Sequence, residues 1–380
     1  MTEAAPLSPS PLAVYIHWPY CARICPYCDF NVVRARGRAD EEMALHHAIF
    51  QDLARQAARL GPRRLTSIFL GGGTPSLMEP EAAGALIEAC RSFWTPDGDL
   101  EVTLEANPTD AEADRFAAFA AAGVNRLSLG VQSFDDAALA FLGRNHGAEE
   151  ARRAIALAGR TFERLSIDLI YARPGQSLDQ WRGELEEAVA SGAEHISPYQ
   201  LTIEEGTAFG RRAGRGETMS PPEDTAADLY ELTQAVLSAA GFEAYEVSNH
   251  ARGEAARSRH NLAYWRGWDY LGAGPGAHGR LTLGGVRHAT EAPAKIADYV
   301  LGGGSDEALS PEDTALERLL MGIRSIEGVR LKELAALHLP SEKLRALEGD
   351  GLISLAGDAL TATARGRPLL DAVTRTLTGA

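Results

Sequence analysis

Between residue 13 and about residue 201 the chain repeats one unit: a short apolar run, a cluster of polar residues or glycines, and a longer segment with helical periodicity. Such an alternation folds as a parallel β/α sheet, because parallel neighbours need a dozen or more residues of connection between them. Six strands are expected, at Ala13–His17, Ser67–Leu70, Leu100–Glu105, Arg126–Leu129, Leu165–Ile170 and His195–Leu201. The crossovers include helices expected at Asp40–Leu60, Pro80–Phe93 and Asp110–Ala122, each apolar on one face and opened by Asp or Pro. The strands lead in turn into HWPYCARICPYCDF, GGGTP, LEANP, GVQSF, IDLIYARPGQ and SPYQLTIEEGT. In a parallel barrel all of these loops open on the C-terminal face, so one shared site is expected there.

A chain of 380 residues exceeds one small core, and a large domain with a smaller appended one is expected. The reading is an α/β protein: a partial TIM-like (β/α)6 barrel over 1–245, a barrel-closing segment over 246–305, and a small helical and winged-helix-like domain over 306–380. The closing segment reads as loops rich in Gly, His and aromatics, including SRHNLAYWRGWDYLGAGPGAHG. In the last domain Pro311–Ile326, Leu331–Leu337 and Glu342–Gly349 read as helices, and GLISLAGDALTATARG as a hairpin before a final helix. A net charge of −15 argues against nucleic acid or anionic lipid as a general partner, so this domain is expected to cap the barrel. MTEAAPLSPSPLAVYIHW has no basic stretch followed by an apolar one, and no segment is long and apolar enough to span a bilayer, so a cytoplasmic protein is expected.

Of four cysteines, Cys90 stands alone in a helix-like segment and three fall together as Cys21-x3-Cys25-x2-Cys28. In a reducing compartment such a cluster points to metal and not to disulfides. Three thiolates on one loop suit a [4Fe–4S] cubane, whose fourth iron is then left for an exogenous amine and carboxylate. The competing readings are three unrelated buried cysteines, or a zinc site that would need His17 or Asp29 as its fourth ligand.

At these residues the chain resembles the radical S-adenosylmethionine (SAM) superfamily, in the branch of oxygen-independent coproporphyrinogen III dehydrogenases (oxidases) and heme chaperones of the HemW type. The resemblance runs nearly the whole length, and implies a HemN-like C-terminal domain. It rests on YIHWPYCARICPYCDF, in which Tyr15 and Tyr27 match residues that surround cluster and cosubstrate, and on Gly71-Gly72-Gly73-Thr74-Pro75, which resembles the loop that meets the methionine amino group of SAM. Glu105, Gln132, Arg144 and Asp168 match the branch's contacts to the methionine carboxylate, the ribose and their surroundings. The chemistry agrees: a guanidinium pairs with carboxylate through a planar fork, and carboxylates accept from hydroxyl or ammonium groups. An isolated Glu, Arg or Asp is more often a solvated or paired charge.

Within the branch, the dehydrogenase pattern has a fourth cysteine where this chain has Phe30, and an extra N-terminal segment where only fourteen residues precede Tyr15. His260-Asn261-Leu262-Ala263-Tyr264-Trp265 resembles the HNxxYW motif of the chaperones. An imidazole can ligate heme iron and flat rings can cover a macrocycle, so His260, Tyr264 and Trp265 are heme candidates. A histidine beside aromatics is more often a satisfied structural residue, and His250, His278 and His288 are rival ligands. The resemblance therefore implies a heme chaperone that carries heme as cargo to recipient hemoproteins, respiratory enzymes among them. It holds SAM and a [4Fe–4S] cluster, takes electrons from a donor, and is open to homodimer formation; the alternative is oxidative decarboxylation of coproporphyrinogen III. The glycine-rich loop 272–279 is expected to close the barrel beside the SAM pocket, and Arg173 stands where the branch commonly has an apolar residue.

Overall fold

The computed structural model describes residues 9–379, and the side chains of all of these except 110 and 111. The expectation that residues 1–8 carry no leader lies outside them. Six strands stand side by side in sequence order: β1 (Pro11–Trp18), β2 (Arg64–Gly72), β3 (Thr95–Ala106), β4 (Arg126–Gln132), β5 (Arg164–Tyr171) and β6 (His195–Gln200). Every neighbouring pair is parallel. The longer helices that cover them are α1 (Ala39–Leu60), α2 (Pro80–Phe93), α3 (Ala148–Thr161), α4 (Leu178–Ala190) and α5 (Glu223–Ala239).

Side chains alternate across a strand, and here the two faces differ in kind. Val14, Ile16, Ile68, Leu70, Val102, Leu104, Leu127, Leu129 and Ile167 join Leu45, Ile49, Leu86 and Ile155 of the helices in one buried core. Burying each such side chain is worth roughly 1.5–3 kcal/mol relative to leaving it exposed. The alternate positions, Ser67, Glu101, Thr103, Arg126, Ser128, Ser166 and His195, are polar and equally buried, and they fill the inside of the curved sheet. The sequence carries this as period-two patterning, Glu101-Val102-Thr103-Leu104-Glu105 being the clearest case.

Four expectations need correction. The helix expected at Asp110–Ala122 is two short ones, Asp110–Ala113 and Phe116–Ala121. The segment expected as loops after residue 245 contributes strands: β7 (Glu243–Glu246), β8 (Asn249–Ala251), β9 (Asp269–Ala273), β10 (His278–Leu283), β11 (Val286–Glu291) and β12 (Ser305–Ala308). They extend the sheet to twelve strands in the order β12-β11-β10-β9-β1-β2-β3-β4-β5-β6-β8-β7, with β9 parallel to β1 and the rest antiparallel. These edge strands are short, and β12 is exposed along its whole length, so no apolar alternation marks them. The helix expected at Pro311–Ile326 stops at Gly322, and 331–337 is a 3-10 turn.

Because β12 belongs to the large sheet, a boundary at residue 306 would cut a strand. The C-terminal unit has a separate core of Leu319, Ile323, Val329, Leu334, Leu347, Ile353 and Leu360 under a three-stranded sheet. It is tied to the barrel by Arg324 on Glu246 (2.5 Å), Arg266 on Glu327 (2.6 Å) and Arg367 on the Ala244 carbonyl (3.0 Å). Among the described residues no helix is long and apolar enough to cross a membrane.

Candidate functional site

The C-terminal strand ends surround a cavity of about 570 Å³. Cys21, Cys25, Tyr27 and Cys28 line it from the segment after β1, Gly72, Gly73 and Thr74 from the end of β2 and its loop, Glu105, Gln132 and Asp168 from β3, β4 and β5, and Arg144 from the connection after β4. The structure thus brings together every residue expected around cluster and SAM except Tyr15, which lies beneath. Its hydroxyl donates to His17 Nδ1 (2.9 Å), and His17 Nε2 donates to the Asn31 carbonyl (2.8 Å). Both His17 nitrogens are therefore used, whereas Asp29 is exposed and lines the cavity with the three cysteines.

The cysteine loop is held by a short parallel pairing of Tyr20–Cys21 with Val33–Arg34 and by a turn closed from Cys28 N to the Cys25 carbonyl (3.1 Å). Asn31 Nδ2 anchors it to the Pro275 and Ala294 carbonyls (2.9 and 2.8 Å). The glycine-rich loop 272–279 therefore supports the cysteine loop from behind, and none of its residues lines the cavity. Gly274 shows why a glycine is needed, since at φ +112° a Cβ there would lie 2.3 Å from the His17 carbonyl oxygen. Gly72 and Gly73 act likewise. A Cβ on Gly72 would meet the His17 ring at 2.4 Å, and Gly73 N reaches the Trp18 carbonyl at 2.8 Å. These glycines bring the two loops together, a contact between protein backbones that the sequence alone did not separate from contact with a ligand.

Burial pushes the Cys28 thiol up to about 11 and raises Cys21 as well, so a bound cation is what would favour the thiolates. Among the described residues no group of three or more His, Cys, Asp or Glu is placed to close on a single metal ion, although all three thiols share one cavity. Arg144 lies against Cys25, with Nη1 3.2 Å from Sγ, while Nη2 donates to the Gly130 carbonyl (3.0 Å) and to Asn107 Oδ1. Asn107 in turn donates to Thr74 Oγ1 (3.2 Å). Sequence reasoning missed Asn107; its signal is the Asn-Pro step directly after β3.

Burial, then the neighbouring Asp168, pushes the Glu105 carboxyl up to about 7, even though it accepts from Gly72 N (3.0 Å). Burial also raises Asp168, which accepts from Ser128 Oγ (3.1 Å). Gln132 sits at a bulge of β4 with φ 67°, and its buried Oε1 has no partner; nor has the buried Nε of Arg144. An orphaned acceptor, an orphaned guanidinium N–H and two carboxylates suit a ligand that carries ammonium, hydroxyl and carboxylate groups. Three thiols at the same wall suit iron.

His260, Tyr264 and Trp265 lie elsewhere. They belong to α6 (Arg259–Trp265), which closes the opposite end of the barrel. Its first amides, Arg259 N and His260 N, donate to Glu101 (3.1 and 3.0 Å), and Arg164 pairs with the same carboxylate at 3.0 Å. His260 is 1% exposed, with Nδ1 3.0 Å from Ser67 Oγ, Nε2 2.7 Å from the Tyr264 hydroxyl and its ring stacked on Phe69. Burial lowers its pKa to about 3, so the imidazole is neutral. No nitrogen is left for iron: the motif forms a barrel floor and does not reach the cavity. Among the rivals His250 is buried near Gln234 and His288 pairs with Asp306 (2.7 Å), while His278 is exposed on β10.

Arg173 is also accounted for. It is buried against Glu184 of α4, donates to Ser133 Oγ (2.6 Å) and forms the base of a second groove. Arg173 is thus half of a buried ion pair.

Residues 15–188 match the radical SAM superfamily model, and residues 309–369 match the HemN C-terminal domain. Heme chaperone HemW of Mycobacterium tuberculosis is 39% identical over 99% of this chain and 97% of its own length. The mitochondrial radical S-adenosyl methionine domain-containing protein 1 of Bos taurus is 38% identical over 97% of this chain and 88% of its own. The solved structure of Escherichia coli coproporphyrinogen III oxidase (HemN), 22% identical, superposes with a TM-score of 0.80 over 97% of this chain and 90% of that one, which establishes the shared fold. The chain belongs to the radical SAM superfamily, in its HemN-like branch and within that branch to the HemW family.

Proposed function

We propose that this chain carries heme and hands it to hemoproteins, with a [4Fe–4S] cluster on Cys21, Cys25 and Cys28 and SAM beside it. The observation that carries the reading is kinship along the whole chain with proteins named heme chaperones. Phe30, where the dehydrogenases have a fourth cysteine, supports it.

When bound, cluster and SAM supply one-electron chemistry at the iron that the protein leaves open. The chain's own residues bind and orient. Arg144 would offer its unpartnered Nε–H to the methionine carboxylate, and Glu105 and Asp168 would accept from the ammonium and the ribose hydroxyls. Gln132 Oε1 gains the partner it lacks. Asn107 positions Arg144, and Tyr15, which burial keeps neutral, holds His17 under the loop. The closed floor at α6 excludes water from below. A cytoplasmic setting and an external electron donor complete the proposal.

The test is anaerobic reconstitution with iron and sulfide, followed by heme titration and by incubation with coproporphyrinogen III, SAM and a reductant. Saturable, stoichiometric heme binding without protoporphyrinogen IX is expected. Porphyrinogen turnover without heme binding would make the chain a decarboxylase.

A further inference from the structure

Since the HNxxYW segment is a buried floor, a carried heme needs another surface. We propose that heme docks across the mouth of the cluster cavity, its ring on Phe30, Ile24 and Tyr199 and its propionates on Arg23, Arg34 and Arg36; this rests on the heme-carrier reading above.

Three large apolar side chains stand in solvent at this mouth: Phe30 is 65% exposed, Ile24 44% and Tyr199 41%, and all three line the cavity. They come from two elements, Ile24 and Phe30 from the cysteine loop and Tyr199 from the end of β6. Apolar groups clustered at the rim of a cavity mark a binding surface more often than scattered ones do. Phe30 is also the residue by which the cysteine motif departs from the dehydrogenase pattern.

Charge selects the occupant. The stretch from Tyr20 to Arg38 carries four arginines against Asp29 alone, in a chain whose net charge is −15. Arg23, Arg34 and Arg36 are exposed; Arg23 lines the cavity, and the backbone of Arg34 pairs in register with that of Cys21, with Arg36 two residues further on. Among the described residues neither Arg34 nor Arg36 has an ion-pair partner. Flat apolar surface beside unpaired guanidinium groups is complementary to a planar, hydrophobic dianion. The other sizeable groove, about 520 Å³ between Phe134 and Pro174, has Asp135 and Glu187 in its wall and would repel propionates.

The test is hemin titration of the anaerobically reconstituted full chain, followed in the Soret band, for wild type, Phe30→Ser and Arg34→Glu/Arg36→Glu. Iron and sulfide content serves as the control for loading. Both variants should bind heme at least tenfold more weakly with cluster content intact. Wild type that binds saturably, with both variants within twofold of it, would overturn the mouth site and leave the carrier reading standing. Wild type that binds no heme would instead remove the carrier reading itself. If Phe30→Ser fails to load the cluster, the arginine pair alone decides by the same criterion.

Discussion

The Tyr264 hydroxyl lies 2.7 Å from Nε2 of His260, and Ser67 Oγ lies 3.0 Å from Nδ1 of the same ring. One imidazole thus ties α6 to β2 at the barrel floor. His260→Ala would leave a cavity and two buried hydroxyls without their partner, a cost of roughly 2–5 kcal/mol. The expected outcome is a lower thermal midpoint with heme affinity unchanged. A variant of wild-type stability that no longer binds heme would contradict the floor role.

Glu105 and its burial set a pH dependence on SAM binding. Its folded-state pKa of about 7 is above the ordinary 4.5, so between these values the folded protein holds a proton that the unfolded chain has lost. The stability contributed by this group is therefore full below about 4.5 and falls as pH rises towards 7. Ionised Glu105 is the form that accepts from SAM, so SAM affinity should increase as pH is raised through 7. Calorimetric titration at several pH values should show that increase in wild type and a flat profile in Glu105→Gln.

Buried histidines give the opposite slope. Burial lowers His260 to about 3 and His146 and His250 to about 4, and holds His195 well below the ordinary 6.5. The unfolded chain binds these protons first, so their contribution is full above 6.5 and is lost as pH falls below it. His17 is lowered too, and Glu105, Asp168, Asp52 and Glu42, whose carboxyls burial raises, act in the other direction. The unfolded chain takes up the histidine protons near pH 6.5, inside the range, so the urea midpoint should drop between pH 7.5 and pH 5. A midpoint that rose over that range would show that the histidines are accessible.

Arg173 and Glu184 form a buried pair in which Glu184 also accepts from Phe134 N (3.1 Å). Arg173→Leu leaves Glu184 buried without its cation. Removing one partner of such a pair costs about 3–5 kcal/mol. Chemical denaturation should show that loss, and Arg173→Leu/Glu184→Leu should recover part of it.

The strands that build the cavity were legible because each is a short run of apolar or alternating residues that ends in a distinctive loop, as at GGGTP and LEANP. The edge strands were not, because residues such as those of β12 face solvent and carry no pattern. HNxxYW was legible as a motif but not as a place. Only the fold shows that Glu101, Ser67 and Phe69, all on strands 150 or more residues earlier, converge on His260. The same holds for Asn107, whose role depends on Arg144 reaching it from beyond another strand.

The most direct test of heme delivery follows heme from the reconstituted, heme-loaded protein to an apo-hemoprotein, monitored by the Soret band of the recipient. The account predicts transfer to the recipient, with transfer reduced to background in Arg34→Glu/Arg36→Glu. Heme that binds but stays on the protein, or a preparation that converts coproporphyrinogen III and binds no heme, would contradict it.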